Sequence, residues 1–220
     1  MKRRPLPVAA ALAATAALLL TACGGGDDSS NDSDKIAGAD AGDTPTSASP
    51  SASASATNSL ERPKVTLPGD VTNVFEGWTT GDATKDAVLT DTSGRIDALD
   101  YAITQSDADE PVLGFYYKGD ALVGASQWVK EFEDAKKSMT GKTRYFKPSV
   151  DVYAKDKATL TYCSFEGEAY VKDRATGKAD KTPVTDKSYL LYSTRLEMSD
   201  KGVWQTAVLN SERGNSACTP

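Results

Sequence analysis

The chain has 220 residues, three cysteines, no histidine and a net charge of −6. The missing imidazole excludes His-dependent acid–base chemistry and removes the commonest zinc ligand. The acidic balance argues against nucleic acid as a partner.

Lys2-Arg3-Arg4 precedes an apolar run from Val8 to Leu20 that only Thr15 interrupts, and small residues lead up to Cys23. This order predicts a cleaved signal peptide over residues 1–22. As a helix the run would cover roughly 20 Å, short of the ~30 Å hydrocarbon core, so a permanent span is not expected. Leu20-Thr21-Ala22-Cys23 resembles the lipobox of bacterial lipoproteins. That resemblance implies a diacylglyceryl group on the Cys23 thiol, cleavage just before it, and an extracytoplasmic protein anchored to the outer face of the cytoplasmic membrane. Two acyl chains hold a protein where one gives only marginal binding.

From Gly24 to Arg62 the chain is mostly Gly, Ser, Ala, Asp, Thr and Asn, with Ile36 and Leu60 as its large aliphatics. Such a segment buries too little to offset its ordering entropy, which predicts a disordered tether over residues 23–62 with a reach of about 31 to 37 Å. Residues 24–59 carry six Asp against one Lys, whereas residues 60–220 carry 21 Lys and Arg against 25 Asp and Glu. Anionic lipid head groups are therefore not an expected partner for the tether.

Residues 63–220 suit one domain with a single sizeable core. Cys163 and Cys218 form an even pair in an exported chain, which predicts a disulfide worth roughly 4 kcal/mol in the chain-entropy account. The competing reading, two free thiols with one of them nucleophilic, has no histidine to activate it. No metal and no cofactor are expected.

Leu89, Ile96, Leu99 and Ile103 recur at helical spacing behind Asp86. They predict a helix from Ala87 to Gln105, capped by Asp86, with Asp91, Arg95 and Asp97 on its polar face. Asp109-Glu110-Pro111 opens a short helix through Val112, Leu113, Tyr116 and Tyr117, stopped at Gly119. Asp120 opens a third, whose stripe of Ala121, Leu122, Ala125, Trp128, Val129, Phe132 and Met139 reads as core and ends at Gly141. From Lys142 the period becomes two, predicting strands over Arg144–Lys147, Val150–Ala154, Ala158–Val171, Ser188–Met198 and Val203–Asn210. Along the third of these, parity puts Leu160, Tyr162, Ser164, Glu166, Glu168 and Tyr170 on one face. The expected class is α+β, about three N-terminal helices packed on a curved antiparallel sheet.

Val74-Phe75-Glu76-Gly77-Trp78-Thr79-Thr80-Gly81 leading into Asp82 to Leu89, Gly141-Lys142-Thr143-Arg144-Tyr145-Phe146, Thr159-Leu160-Thr161-Tyr162-Cys163 and the closing Ser211 to Cys218 together resemble secreted actinobacterial lipoproteins. Those proteins are similar to the nuclear transport factor 2-like superfamily, which implies a helix-lined cone closed by a bent sheet. The superfamily includes isomerases, dehydratases, secretion-system parts and plain binding modules, so the resemblance implies a fold and leaves activity open.

Enzymes of this kind commonly set a histidine beside an aspartate in the cone, which this chain cannot do. The catalytic set that survives is Glu166 or Glu168 as a base, Arg195 as an oxyanion partner and Tyr162 as a donor. Cross-strand pairing of those Glu and Arg residues on a solvated face is the stronger reading. Asp107-Ala108-Asp109-Glu110 lacks the glycine and distal Glu of a calcium loop. The expected function is a non-catalytic binding module presenting its cone or sheet face to an envelope protein or small ligand. Exposed members of Trp78, Tyr116, Tyr117, Trp128, Tyr189 and Trp204 would supply its contacts. The alternative is an isomerase- or dehydratase-type cone-pocket enzyme for a small apolar substrate. A free sheet edge leaves the oligomeric state open.

Overall fold

The computed structural model describes residues 61–220. The expected signal peptide, the expected lipid site at Cys23 and the expected tether up to residue 60 lie outside the described residues. Strand β1 (Val71–Phe75) comes first, then helices α1 (Ala83–Gln105), α2 (Pro111–Tyr116) and α3 (Gly119–Asp134), and then strands β2 (Lys137–Ala154), β3 (Lys157–Asp173), β4 (Tyr189–Met198) and β5 (Trp204–Arg213). The five strands form one sheet in sequence order; β1 runs parallel to β2 and every later pair is antiparallel. This is the expected α+β arrangement of helices on a curved sheet, with one added strand. Sequence patterning misses β1 because it is short and carries Thr72 and Asn73 where alternation would want an apolar residue.

Helix α1 begins four residues before the expected start. Asp82, and not Asp86, caps it, accepting from Thr84 N and Lys85 N at 2.9 Å each. Asp86 instead accepts from Thr80 N at 2.6 Å and Thr80 Oγ1 at 2.7 Å, so it folds the turn that leads into the helix. Its far end stops at Ser106, whose left-handed φ of 62° lets its N–H return to Ala102 O and Ile103 O.

Helix α3 is shorter than its apolar stripe predicts. Lys136 takes φ 54° and breaks the helix, so Met139 and Gly141 belong to β2. The apolar spacing runs across the break because Met139 points into the same interior from the strand. The two strands expected over Arg144–Lys147 and Val150–Ala154 are one strand, interrupted in register between Phe146 and Ser149 at Lys147 (φ 51°) and Pro148. Gly141 has φ 100°, and a Cβ there would lie 2.1 Å from the Glu168 carbonyl oxygen, so the β2–β3 crossing requires glycine.

Two apolar clusters flank α1. On one side Ala98, Ala102 and Ile103 meet Val112, Leu113, Tyr117, Val129 and Val203. On the other Val88, Leu89 and Ile96 meet Leu160, Tyr162, Leu196 and Trp204 of the sheet. Burying a side chain the size of Leu89, Leu160 or Leu196 contributes roughly 2 kcal/mol. Because α1 is enclosed from both sides, its expected polar face is largely interior: Asp91 is 0% and Arg95 2% exposed. Asp91 is satisfied there by Arg62 Nε at 2.6 Å and Trp204 N at 2.9 Å, which fastens the start of the domain to α1.

Cys163 and Cys218 are joined, with Cα atoms 5.5 Å apart and a separation of 55 positions in sequence. The bond fixes the C-terminal tail to the outer side of β3, where Lys147 Nζ also donates to Ala217 O at 3.0 Å.

Candidate functional site

The helix layer and the sheet diverge to enclose an open cavity of about 1230 Å³. Helix α1 contributes Arg95, Ile96, Leu99, Asp100 and Ile103; α3 contributes Ala121, Gly124, Ala125, Trp128 and Phe132. The sheet supplies Met139, Thr143 and Tyr145 from β2, Tyr162 and Glu166 from β3, Tyr192 from β4 and Leu209 from β5. The link between β3 and β4, with Asp180, Pro183 and Lys187, reaches the mouth. Depth follows exposure: Tyr117 and Tyr162 are 1% exposed, whereas Trp128 is 48% exposed.

Trp128 was expected in the core and stands instead at the cavity edge, its ring 5.3 Å from Phe132 in an edge contact. Helix spacing marks which residues share a stripe but not whether the stripe meets a wall or a void. Of the other aromatics expected to offer contacts, Tyr116, Tyr117 and Trp204 are buried, and Trp78 and Tyr189 are half-buried.

At the deep end lies Arg95. Its Nη1 donates to Tyr117 Oη at 3.0 Å and its Nη2 to Tyr162 Oη at 2.5 Å. The guanidinium also lies 5.3 Å from the Tyr117 ring centroid. Tyr162 is held by stacking on Tyr192 (4.9 Å, 10°) and by the edge of Trp78 at 5.4 Å. Burial pushes the Tyr162 phenol up to about 12 against the opposing pull of Arg95, and burial also raises Tyr145 and Tyr192 well above the usual phenol range. These phenols stay protonated donors at neutral pH.

One turn along α1, Asp100 is 7% exposed and accepts from Asn73 Nδ2 at 2.7 Å, while the same amide donates to Asp97 at 2.9 Å. Burial lifts the Asp100 carboxyl to about 7; the Asn73 hydrogen bond works against the rise, and nearby Asp97 and Glu166 add to it. Asp100 can therefore give or take a proton near neutrality, a capacity usually supplied by histidine. Glu166, on the facing strand, accepts from Arg213 Nη2 at 2.9 Å and Tyr192 Oη at 3.3 Å.

The set expected from sequence is brought together only in part. Tyr162 and Glu166 line the cavity, but Glu168 and Arg195 do not. Between Lys142–Glu168 and Arg144–Phe165, β3 spends three steps on two of β2, and this bulge inverts side-chain parity beyond Glu166. Glu168 consequently faces outward and pairs with Lys142 at 2.5 Å. Arg195 is exposed on the outer face of β4, 3.7 Å from Glu197, because the inward positions of that strand are Leu190, Tyr192, Thr194 and Leu196. Cross-strand pairing on a solvated face, the stronger reading, describes Glu168, with Lys142 in place of an arginine; Arg195 pairs along its own strand instead.

Sequence reasoning missed Arg95, Asp100, Tyr117, Tyr145 and Tyr192 as cavity groups, and Asn73 as the partner of Asp100. A signal was present for α1: Gly94, Ala98 and Ala102 are small residues on its nominally polar side, the mark of a second packed face. Gly94 admits the Tyr116 hydroxyl, which would lie 2.5 Å from a Cβ there. Among the described residues no group of three or more His, Cys, Asp and Glu side chains is arranged to hold a metal ion.

No protein-family model and no curated protein matches the chain. Among solved structures it is similar to a ketosteroid isomerase-like protein from Erwinia carotovora atroseptica (16% identity, TM-score 0.40, 58% of this chain and 93% of that one). It is similar also to a nuclear transport factor 2-like superfamily protein from Salmonella enterica serovar Typhimurium (13%, 0.40, 60% and 93%). A third likeness is to the intermembrane space region of the chloroplast protein ARC6 (16%, 0.39, 61% and 99%). These are distant likenesses of shape and bring no activity to this chain.

Proposed function

We propose that the chain is a lipid-anchored, extracytoplasmic binding protein whose cone takes up a small, largely apolar molecule. The observation that carries the reading is the open cavity of about 1230 Å³, walled by Leu99, Ile103, Phe132, Met139 and Leu209 with a few convergent polar groups at its deep end. Cavities of this size and composition are the usual form of small-molecule sites. The lipobox tetrad ending at Cys23 supports the anchor.

Gly124 gives a direct test. It lines the cavity, and a Cβ at this position meets nothing within 4 Å, so Gly124→Trp adds an indole at the chamber wall and narrows it without a backbone clash. Protein purified from its own membrane fraction and examined by native mass spectrometry should carry a small molecule that Gly124→Trp lacks, with both folded to the same degree. Equal occupancy of the two proteins would rule out the cavity as the site. In the same cells Cys23→Ala should move the protein out of the membrane fraction, and retention there would remove the anchor.

A second reading rests on Asp100. A carboxyl near 7 in a chamber lined by protonated phenols suits proton abstraction from a bound molecule, with Tyr162 or Tyr145 donating to the oxygen on which charge collects. Turnover of the co-purified molecule, lost in Asp100→Asn while binding persists, would select this reading over simple binding.

A further inference from the structure

Arg95 is a cation without an anion. Its residue is 2% exposed, yet among the described residues no carboxylate lies within 4.0 Å of it; its partners are two neutral phenol oxygens, and its Nε is buried with no partner at all. Withdrawing a guanidinium from water is costly, and two phenols offset only part of that cost. Buried arginines are ordinarily balanced by carboxylates, and carboxylates are close by. Glu166, however, is committed to Arg213, and Asp100 to Asn73.

The hydrogen-bond pattern around Arg95 adds a second observation. Tyr117 and Tyr162 each use their oxygen to accept from the guanidinium, so each hydroxyl proton is left over, and neither donates to any described residue. The cluster thus presents a fixed positive charge and two free O–H donors at the deep end of a chamber whose outer walls are Leu99, Trp128, Phe132 and Leu209. Arg95, Tyr117 and Tyr162 all line the cavity, and apolar walls continue toward the mouth.

We infer that the cavity takes an anionic amphiphile head-first, its carboxylate or sulfonate seated on Arg95, Tyr117 and Tyr162 and its apolar body lying along α1 and α3. This inference rests on the cavity being the ligand site. It disfavours ammonium ions and other cations, which Arg95 repels, and it ranks neutral apolar molecules below anionic ones, because they leave the cluster unsatisfied.

Two dyes that share one aromatic body test it: anilinonaphthalene sulfonate, which is anionic, and N-phenylnaphthylamine, which is neutral. Titrated into the full chain by calorimetry and fluorescence, the sulfonate should bind one per chain and at least about tenfold tighter than the amine, as expected for one charge-assisted contact. Arg95→Gln should remove that preference and leave the neutral dye within about twofold, and Arg95→Lys, which keeps the charge but loses the fork, should fall between. Neutral dye bound as well as or better than sulfonate by the parent protein would overturn the anionic head and leave the cavity reading standing. That comparison needs no variant, so it decides the matter even if Arg95→Gln does not fold. Failure of both dyes to bind, or binding of both by Gly124→Trp as tightly as by the parent protein, would overturn the cavity reading and this inference with it.

Discussion

Asp100 is the residue whose chemistry departs furthest from its type. Its carboxyl sits near 7 in the fold, mainly through burial, against about 4 in an unfolded chain. The folded state therefore binds this proton more tightly than the unfolded state, and the slope of stability with pH is negative between those values. Stability from this group is complete below about pH 4 and is lost as pH rises toward 7. Asp100→Asn keeps an acceptor for Asn73 and removes the titration. Urea unfolding should find the variant no more stable than the parent at pH 4 but ahead of it at pH 8, by an amount on the order of 3 to 4 kcal/mol. A constant difference between the two pH values would show that the carboxyl is not held protonated. Neither this residue nor Arg95 could be picked out by residue type. On a helix a charged side chain reads as solvent-facing unless the opposite face is known to be covered, and that knowledge belongs to tertiary structure.

At the level of elements, the sequence pattern identifies each helix and four of the five strands, and it errs at ends and bulges. The start of α1, the stop of α3 and the parity switch in β3 each turn on a local device that periodicity does not register: a cap at Asp82, a left-handed Lys136, an extra residue beyond Glu166. The bulge matters most for function because it decides which glutamate sees the cavity. Gly141 pins that crossing. Gly141→Ala forces a Cβ against the Glu168 carbonyl at a φ of 100° and should cost about 3 kcal/mol or more, whereas Gly124→Ala, in open space on α3, should stabilise by about 1 kcal/mol. Denaturation midpoints shifting in opposite directions would bear this out; a neutral Gly141→Ala would mean that the crossing relaxes.

The molecule as a whole follows the α+β plan that its order of periods announces, helices first and strands after. The resemblance implied a cone, but that its cavity is open was not legible in the spacing, because the opening arises where α1, α3 and the sheet fail to meet, and spacing reports only which residues are apolar. The cysteine pair was legible from its even number in a chain expected to be exported. If one bridge is what the pair provides, Cys163→Ser, Cys218→Ser and the double variant should each lose the same stability, up to roughly 4 kcal/mol, and the parent protein under reductant should match them. Losses that add in the double variant would mean that the two residues act separately.

The hold of Arg62 on Asp91 has a mechanical consequence. Tension arriving along the chain that precedes Arg62 meets a 2.6 Å ion pair on the middle of the longest helix before it reaches any strand. Behind that pair, β1 lies parallel to β2 over five registered positions, so a pull on its N-terminal end loads the whole ladder in shear and does not peel it one bond at a time. With the opposite terminus bolted to β3 by Cys218, neither end of the domain offers a loose thread. Were the domain held from that end, as the proposed anchor requires, it would keep its shape, and its chamber, under the pull.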